Sequence, residues 1–224
     1  MKLEAIIICV GKECSDFLDY TLPLNKKFFD NIIVVTSIED RITQDICLKN
    51  SVFCVPTNSF YKNGGKFRKG AGYNEGIKYI KFGEFICLMD SDVVIPDIFG
   101  RIKNQYNWNI EEFYGVKRII FRTISEFNDY LIDKIKDKDL WIPDGIGYGF
   151  WSIFHCKSQI IQKWGFYYSE NDGVGHGDYM LRNLWGDCIN NHKEYTGLLR
   201  ELPMKVYHLG WPGGFGAEKV DFWK

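Results

Sequence analysis

The sequence predicts an α/β domain: a doubly wound, mixed, mostly parallel sheet flanked by helices. Three observations carry that expectation. Short, mostly apolar runs recur at 3–10, 31–36, 51–55 and, unbroken, at 85–89, each ending in turn-forming or acidic residues, as strands buried on both sheet faces do. Segments of helical periodicity separate these runs, as parallel pairing requires. A length of 224 residues with 46% apolar and 25% charged side chains suits one globular domain with a sizeable core.

Taken in order, the first strand, 3–10, ends in Gly11-Lys12-Glu13. Ser15 is placed to cap a helix carrying Phe17, Leu18 and Leu22, and Pro23 restarts it towards Phe28-Phe29. The second strand, 31–36, is followed by Ser37 with Asp40 three residues on. That is a capping-box-like start for a helix with Ile38, Ile42 and Ile46 on one face. A third strand, 51–55, leads to a glycine-bearing loop. Lys66-Phe67-Arg68-Lys69-Gly70 then opens a helix through Ala71, Asn74, Ile77 and Ile80, which delivers the chain to strand 85–89. Beyond Pro96 the pattern predicts a helix at 98–105 and a strand at 113–121. An amphipathic helix follows from Ser125 through Phe127, Tyr130, Leu131 and Ile135. Residues 144–156, loosened by Gly145, Gly147 and Gly149, read as a strand or hairpin, and a last strand spans 204–209. No repeat, low-complexity stretch or linker interrupts the chain, so one domain is expected.

Composition narrows the function classes. A net charge of −1 gives no electrostatic footprint for nucleic acid or an anionic membrane. Seven cysteines without a C-x-x-C pair read as reduced, mostly buried thiols. The apolar run 5–10 is too short for a signal-peptide core or a membrane span. A cytoplasmic protein with no transmembrane segment is therefore expected. The 17% aromatic content, often beside glycine in the second half, suits a groove for sugars and suits aromatic core packing equally well.

Three constellations carry possible chemistry. Asp90-Ser91-Asp92 stands at the carboxyl end of strand 85–89, where open α/β sheets bind ligands. Two carboxylates around a small hydroxyl residue suit a hard divalent cation, and through it a diphosphate. The alternative is a pair of solvated acids opening a loop. Lys66, Arg68 and Lys69 precede a helix, which makes either an anion site or a solubilising basic turn. The chain has no P-loop motif, and Gly70-Ala71-Gly72 lacks dinucleotide-fingerprint spacing. The third constellation, Asn171-Asp172-Gly173-Val174-Gly175-His176-Gly177-Asp178, lets backbone approach a ligand and sets Asp178 at a helix start, where it would also serve as a plain N-cap. His208 ends an apolar strand and either completes a metal site begun by Asp92 or is a satisfied core histidine.

In their order along the chain, these pieces resemble a family. A buried strand ending in D-S-D, the helix start F-R-K-G-A-G-Y-N-E-G before it, the downstream G-x-G-H-G-D and the late H-L-G are similar to the nucleotide-diphospho-sugar glycosyltransferases of GT-A fold, in the manner of family 2-like inverting enzymes. The resemblance implies that Asp92 holds Mn²⁺ or Mg²⁺, with Asp90 near the ribose or the metal and His208 a further metal ligand. It implies Asp178 as catalytic base. Val10, Gly11, Ser37 and Glu39 fall where relatives hold base and ribose, and Lys69, Asn74, Asp90 and Ser91 line the nucleotide pocket. Gly11-Lys12 stands where many relatives have Tyr-Asn, and Glu39 where they have Asp. On this resemblance residues 1–97 form the nucleotide-binding half and 98–224 the acceptor half. Tyr148, Phe150, Trp151, Gly177 and Trp185 are then candidates for acceptor binding.

The function so implied is metal-dependent transfer, with inversion, of a hexose from a nucleotide-diphosphate sugar to a hydroxyl of a saccharide or glycoconjugate, with UDP the expected nucleotide. A sugar-phosphate nucleotidyltransferase and a non-catalytic sugar-nucleotide-binding protein are the alternatives.

Overall fold

The computed structural model describes residues 1–64, 67–110, 112–143, 147–155 and 199–210. Their strands form one eight-stranded sheet in the order β3-β2-β1-β4-β7-β6-β8-β5. β1 (Leu3–Ile8) lies between β2 (Asn31–Ser37) and β4 (Phe85–Asp90), and β3 (Phe53–Thr57) extends the parallel set beyond β2. β7 (Gly147–His155) runs antiparallel between β4 and β6 (Phe113–Phe121). β8 (Leu199–Leu209) returns parallel to β6, and the two-residue β5 (Val93–Val94) pairs antiparallel with β8. The sheet is thus mixed and mostly parallel, with strands of both halves of the chain in it.

Alternation along β1 explains the double winding. Leu3, Ala5 and Ile7, with Cys9 beyond the strand, join a core that holds α1 (Lys12–Asn25), α2 (Arg41–Lys49) and α4 (Ile98–Gln105) through Leu18, Leu22, Ile46, Phe99 and Ile102. Ile6 and Ile8, with Val10 beyond, face the other way onto Phe60 and Tyr73, the latter on α3 (Lys69–Ile77). Side chains of period two therefore bury both faces. A third cluster, around Phe121, Phe127 and Leu209, seats α5 (Ile124–Leu131).

α3 packs on β1 through its glycines. A Cβ at Gly72 would lie 2.3 Å from the Phe60 ring, and one at Gly76 would lie 2.6 Å from Ile6. These glycines cost helix propensity of about 1 kcal/mol each and in return let the helix lie against the sheet. Glu4, fully buried on the same strand, accepts the amides of Lys81, Phe82 and Gly83 at 2.8, 2.7 and 3.1 Å. That carboxylate fixes how the chain enters β4.

Several helix starts differ from expectation. α1 opens at Gly11, whose φ of 89° turns the chain, and Ser15 lies inside the helix with its hydroxyl donating to the Gly11 carbonyl at 2.9 Å. The helix also continues through Pro23 to Asn25. α2 is capped by Asp40, which accepts the Thr43 amide at 3.1 Å, and not by Ser37. α5 is capped by Thr123, whose hydroxyl accepts the Glu126 amide at 3.1 Å, and it ends before Ile135. At α2 and α5 several Ser, Thr and Asp compete, and the choice among them rests on which side chain reaches an unpaired amide; α1 has no side-chain cap. β3 lies two residues later than expected, at Phe53–Thr57, and β8 begins earlier, at Leu199. Among the described residues, no helix is long and apolar enough to cross a membrane.

Candidate metal centre

The carboxyl edge of the parallel strands collects the acidic residues. Ile8 of β1 is in register with Asp90, the last residue of β4, so both strands end together. The chain then turns through Ser91 and Asp92 into β5, where Val93 pairs with His208 of β8. β5 and β8 thereby bring residues 116 apart in sequence into contact: His208 Nε2 lies 3.1 Å from Asp92 Oδ2.

Two buried polar residues of α1 hold this turn. The Thr21 hydroxyl donates to the Ser91 carbonyl at 2.6 Å. Asn25 Nδ2 donates to the Val93 carbonyl at 2.7 Å, while its Oδ1 accepts the Ile95 amide at 2.8 Å. The Leu209 amide closes the other side on the Asp92 carbonyl at 2.8 Å. Neither Thr21 nor Asn25 was singled out by sequence reasoning. The available signal was two polar residues spaced i, i+4 on the α1 face that also carries Leu18 and Leu22, since a polar side chain on a buried face needs a partner.

Each of Asp90, Asp92 and His208 offers one ligand atom, and these atoms lie within 4.8 Å of one another. His208 is 2% exposed. Asp92 Oδ1 is buried and has no hydrogen-bond partner among the described residues. A buried carboxylate oxygen left unpaired is costly, and a divalent cation would satisfy it. Two carboxylates and an imidazole are ligands that Mn²⁺ accepts, while the carboxylates alone suit Mg²⁺. The residues present fit the metal implied by the resemblance.

Two cations contact the cluster, Lys69 at Asp90 and Arg118 at His208. Lys69 Nζ, at the first residue of α3, lies 2.5 Å from Asp90 Oδ1. Arg118 of β6 places Nη1 2.8 Å from His208 Nδ1, with its guanidinium carbon 4.6 Å from the centre of the Phe150 ring. Phe150 in turn stacks on His208, the rings 5.3 Å apart and 25° from parallel. Burial pulls the Arg118 guanidinium down from its ordinary value, and Asp92 and Asp90 act against that shift. The Cys14 thiol, pushed up to about 11 by burial and then by the charge of Asp92, stays protonated beside the same acids. Arg118 was missed in the sequence because nothing local marks one arginine of a β-strand as facing a histidine 90 residues away.

The remaining candidates fall into place as follows. Val10 is buried, and Gly11, in open space, donates its amide to Asp40 Oδ2 at 2.9 Å. Asp40, capping α2 at the end of β2, therefore also ties down the exit of β1. Ser37 ends β2 half-buried, and Glu39 is exposed just beyond it. Asn74 is half-buried on α3. Ser91 is buried in the turn. Of the basic run, Lys69 faces Asp90 and Arg68 is buried, so these two do not form a solvated turn; Lys66 lies outside the described residues. Trp151 is fully buried and edge-on to Phe99, at 5.8 Å, so it meets the core and not an acceptor. Phe150, buried in the same core cluster, stacks on the candidate metal ligand His208. Gly177, Asp178 and Trp185 lie outside the described residues, as does the Tyr148 side chain.

No protein-family model matches this sequence, and no curated protein matches it. Solved structures do match in shape. A mannosyltransferase from Pyrobaculum calidifontis in complex with GDP-Man and Mn²⁺ superposes with a TM-score of 0.57 at 10% identity, over 92% of this chain and 56% of that one. Glucosyl-3-phosphoglycerate synthase from Mycobacterium tuberculosis, in complex with Mn²⁺, UDP and glucosyl-3-phosphoglycerate, gives 0.55 at 12% identity, over 92% and 71%. This chain has the GT-A fold. The same GT-A architecture is matched by 4-diphosphocytidyl-2C-methyl-D-erythritol synthase from Anaerococcus prevotii, at a TM-score of 0.52 and 17% identity, over 92% and 89%.

Proposed function

We propose that the protein is a metal-dependent, inverting glycosyltransferase that moves a hexose from a nucleotide-diphosphate sugar, with UDP the expected nucleotide, to a hydroxyl of a saccharide or glycoconjugate. The observation that carries this reading is the Asp90–Asp92–His208 cluster at the carboxyl edge, with Asp92 Oδ1 buried and unpaired among the described residues. The Mn²⁺, UDP and GDP-Man named for the structural neighbours support it.

Asp92 and His208 would hold Mn²⁺ or Mg²⁺, with Asp90 beside them. When bound, the metal supplies Lewis-acid neutralisation of the charge that builds on a departing diphosphate. The protein's own groups do the rest. Thr21 and Asn25 keep the acidic turn in place without adjustment during the reaction, which is what preorganisation requires. Lys69, on Asp90, and Arg118, on His208, add positive charge to the site. Gly11, where a Cβ would meet no atom within 4 Å, is proposed to border the nucleotide base. Asp178 is proposed to take the proton of the acceptor hydroxyl as it attacks the anomeric carbon from the face opposite the diphosphate.

The diphosphocytidyl product named for the Anaerococcus neighbour keeps nucleotidyl transfer to a sugar phosphate as a second reading. One screen tests both. UDP-, GDP- and dTDP-sugars are compared by thermal shift with and without Mn²⁺, and the stabilising donor is then followed for hydrolysis or transfer. Glycosyl transfer releases the nucleoside diphosphate, whereas nucleotidyl transfer consumes a nucleoside triphosphate and releases pyrophosphate. Asp92→Ala should abolish the Mn²⁺-dependent stabilisation while the protein remains folded. Unchanged metal dependence in that variant rejects the metal assignment.

A further inference from the structure

Two cations among the described residues are already engaged with the candidate metal ligands. Lys69 Nζ is on Asp90 Oδ1 at 2.5 Å, and Arg118 Nη1 is on His208 Nδ1 at 2.8 Å. The remaining imidazole nitrogen, Nε2, faces Asp92 Oδ2 at 3.1 Å. We propose that Lys69 and Arg118 are resident counter-ions of the metal ligands which turn to the donor's diphosphate when metal enters, so that metal and nucleotide diphosphate bind as one coupled unit. This inference rests on the metal reading above and adds to it how the site is loaded.

Charge supports the exchange. Among the described residues the two carboxylates, Asp90 and Asp92, are matched by the two cations, Lys69 and Arg118, so these four groups alone offer a dianionic diphosphate no net attraction. A divalent cation entering alone would have to displace the Lys69 ammonium from Asp90, where the pair is 22% and 28% exposed. The displaced ammonium would then stand beside a metal ion with no anion to replace the one it lost, which disfavours entry of metal alone. Diphosphate oxygens remove that penalty. They offer charge-assisted hydrogen bonds to both displaced cations, and the added divalent charge balances the added dianion.

Geometry supports it too. Arg118 lies over Phe150 at 4.6 Å, and Phe150 stacks on His208. The aromatic ring helps to hold the guanidinium beside His208. Lys69 is backed similarly by Tyr73, whose ring centre lies 5.9 Å from Nζ. Both cations are held where a small rotation carries them from a carboxylate or imidazole to a phosphate.

The test is a binding experiment on the full chain. Mn²⁺ is titrated alone by its EPR signal, and UDP and GDP are titrated by calorimetry with and without saturating Mn²⁺. In the wild type, metal is expected to tighten the preferred nucleotide by about tenfold or more, within the usual range for coupled sites. Lys69→Met should act with opposite signs: Mn²⁺ alone binds about two- to fivefold more tightly, as loss of a partly exposed competing ion pair allows, while the metal–nucleotide coupling shrinks severalfold. Lys69→Arg keeps the charge and should keep the coupling. Arg118→Met should also weaken the coupling, and the Lys69 variants decide the matter if that protein does not fold. Coupling of wild-type size in Lys69→Met, or unchanged or weaker Mn²⁺ binding in it, overturns the inference. Asp92→Ala separates the two levels. If it abolishes Mn²⁺ binding while Lys69→Met behaves as wild type, only the counter-ion exchange is rejected. If it leaves Mn²⁺ binding intact, or if the wild type binds no metal at all, the metal reading falls as well.

Discussion

Asn25 on α1 donates to the carbonyl of Val93 in β5 at 2.7 Å, and both residues are buried. The same side chain accepts the Ile95 amide at 2.8 Å, so one amide group brackets a strand of two residues. β5 is too short to hold itself by sheet pairing alone, and it is the segment that sets Asp92 against His208. Asn25→Ala leaves a buried carbonyl and a buried amide unpaired, and it should destabilise the protein by about 1–3 kcal/mol. Mn²⁺ affinity should fall by about 10–100-fold, as for loss of a group that orients metal ligands. Chemical denaturation and Mn²⁺ titration measure the two effects separately. An Asn25→Ala protein with full metal affinity would show that Thr21 and β8 order the turn without Asn25.

Gly72 offers a test of how the donor edge is built. Its position against Phe60 and Ile8 leaves no room for a methyl group, and Phe60 is itself fully buried. Gly72→Ala should therefore cost about 1–3 kcal/mol through overpacking, despite the better helix propensity of alanine. Phe60→Leu, costly alone, should recover part of that loss in the double variant. Additive effects of the two substitutions, read from denaturation midpoints, would mean that Phe60 does not set the limit at Gly72.

Much of this architecture was legible in the sequence because it depends on local pattern. The runs at 5–10, 32–35 and 85–89 are apolar throughout, and only a strand covered on both faces tolerates that. The D-S-D end of β4 was legible for the same reason, since a buried strand must leave the sheet somewhere and ligands bind where it does. Helix starts were less so. Ser15, Ser37 and Ser125 are each good caps locally, but Gly11, Asp40 and Thr123 occupy the cap positions. Thr21, Asn25 and Arg118 were not legible at all as site residues. Their partners, Ser91, Val93 and His208, lie 70, 68 and 90 residues away, and only the assembled sheet brings them together. Trp151 shows the converse. Its glycine-rich setting suggested a sugar platform, but the assembled sheet buries it against Phe99, while Phe150, also buried, stacks on His208.

At the opposite, amino edge of the sheet, Asp30 ties three elements together. It accepts the Leu3 amide at 3.0 Å and pairs with Lys2 at 2.8 Å and Lys103 at 2.9 Å. Burial alone would raise its carboxyl, but the Leu3 amide and the two lysines outweigh burial and hold it well below the usual carboxylate range. A carboxyl depressed in the folded state contributes stability that is fully present above its unfolded value, about 3.9, and is lost as pH falls through the folded value. Asp30→Asn should therefore lower stability at pH 7 by about 1–2 kcal/mol. The difference from wild type should narrow steadily below pH ~4 and vanish in strong acid. Denaturation midpoints measured from pH 7 down to the acid limit check the sign. A gap that widens on acidification would contradict the assignment.

The proposed base, Asp178, can be separated from a helix cap because the two roles respond differently to one atom. Asparagine caps a helix about as well as aspartate, so Asp178→Asn should be nearly silent in melting temperature if capping is the whole role. As a general base, the same change removes the proton acceptor, and transfer should fall by roughly 10²–10⁴-fold. Donor affinity should survive, because Asp90, Asp92 and His208 are untouched. The expected pattern is lost transfer with retained nucleotide binding, metal dependence and stability. Near wild-type transfer by Asp178→Asn rejects the residue as base and opens a retaining mechanism, which needs none. Product stereochemistry then decides independently of any substitution. A base-assisted attack from the face opposite the diphosphate converts an axial donor bond into an equatorial linkage, visible in the anomeric proton coupling. An axial product would exclude the single inverting displacement even if Asp178→Asn were inactive, and Asp178 would then have to act by holding the acceptor and not by taking its proton.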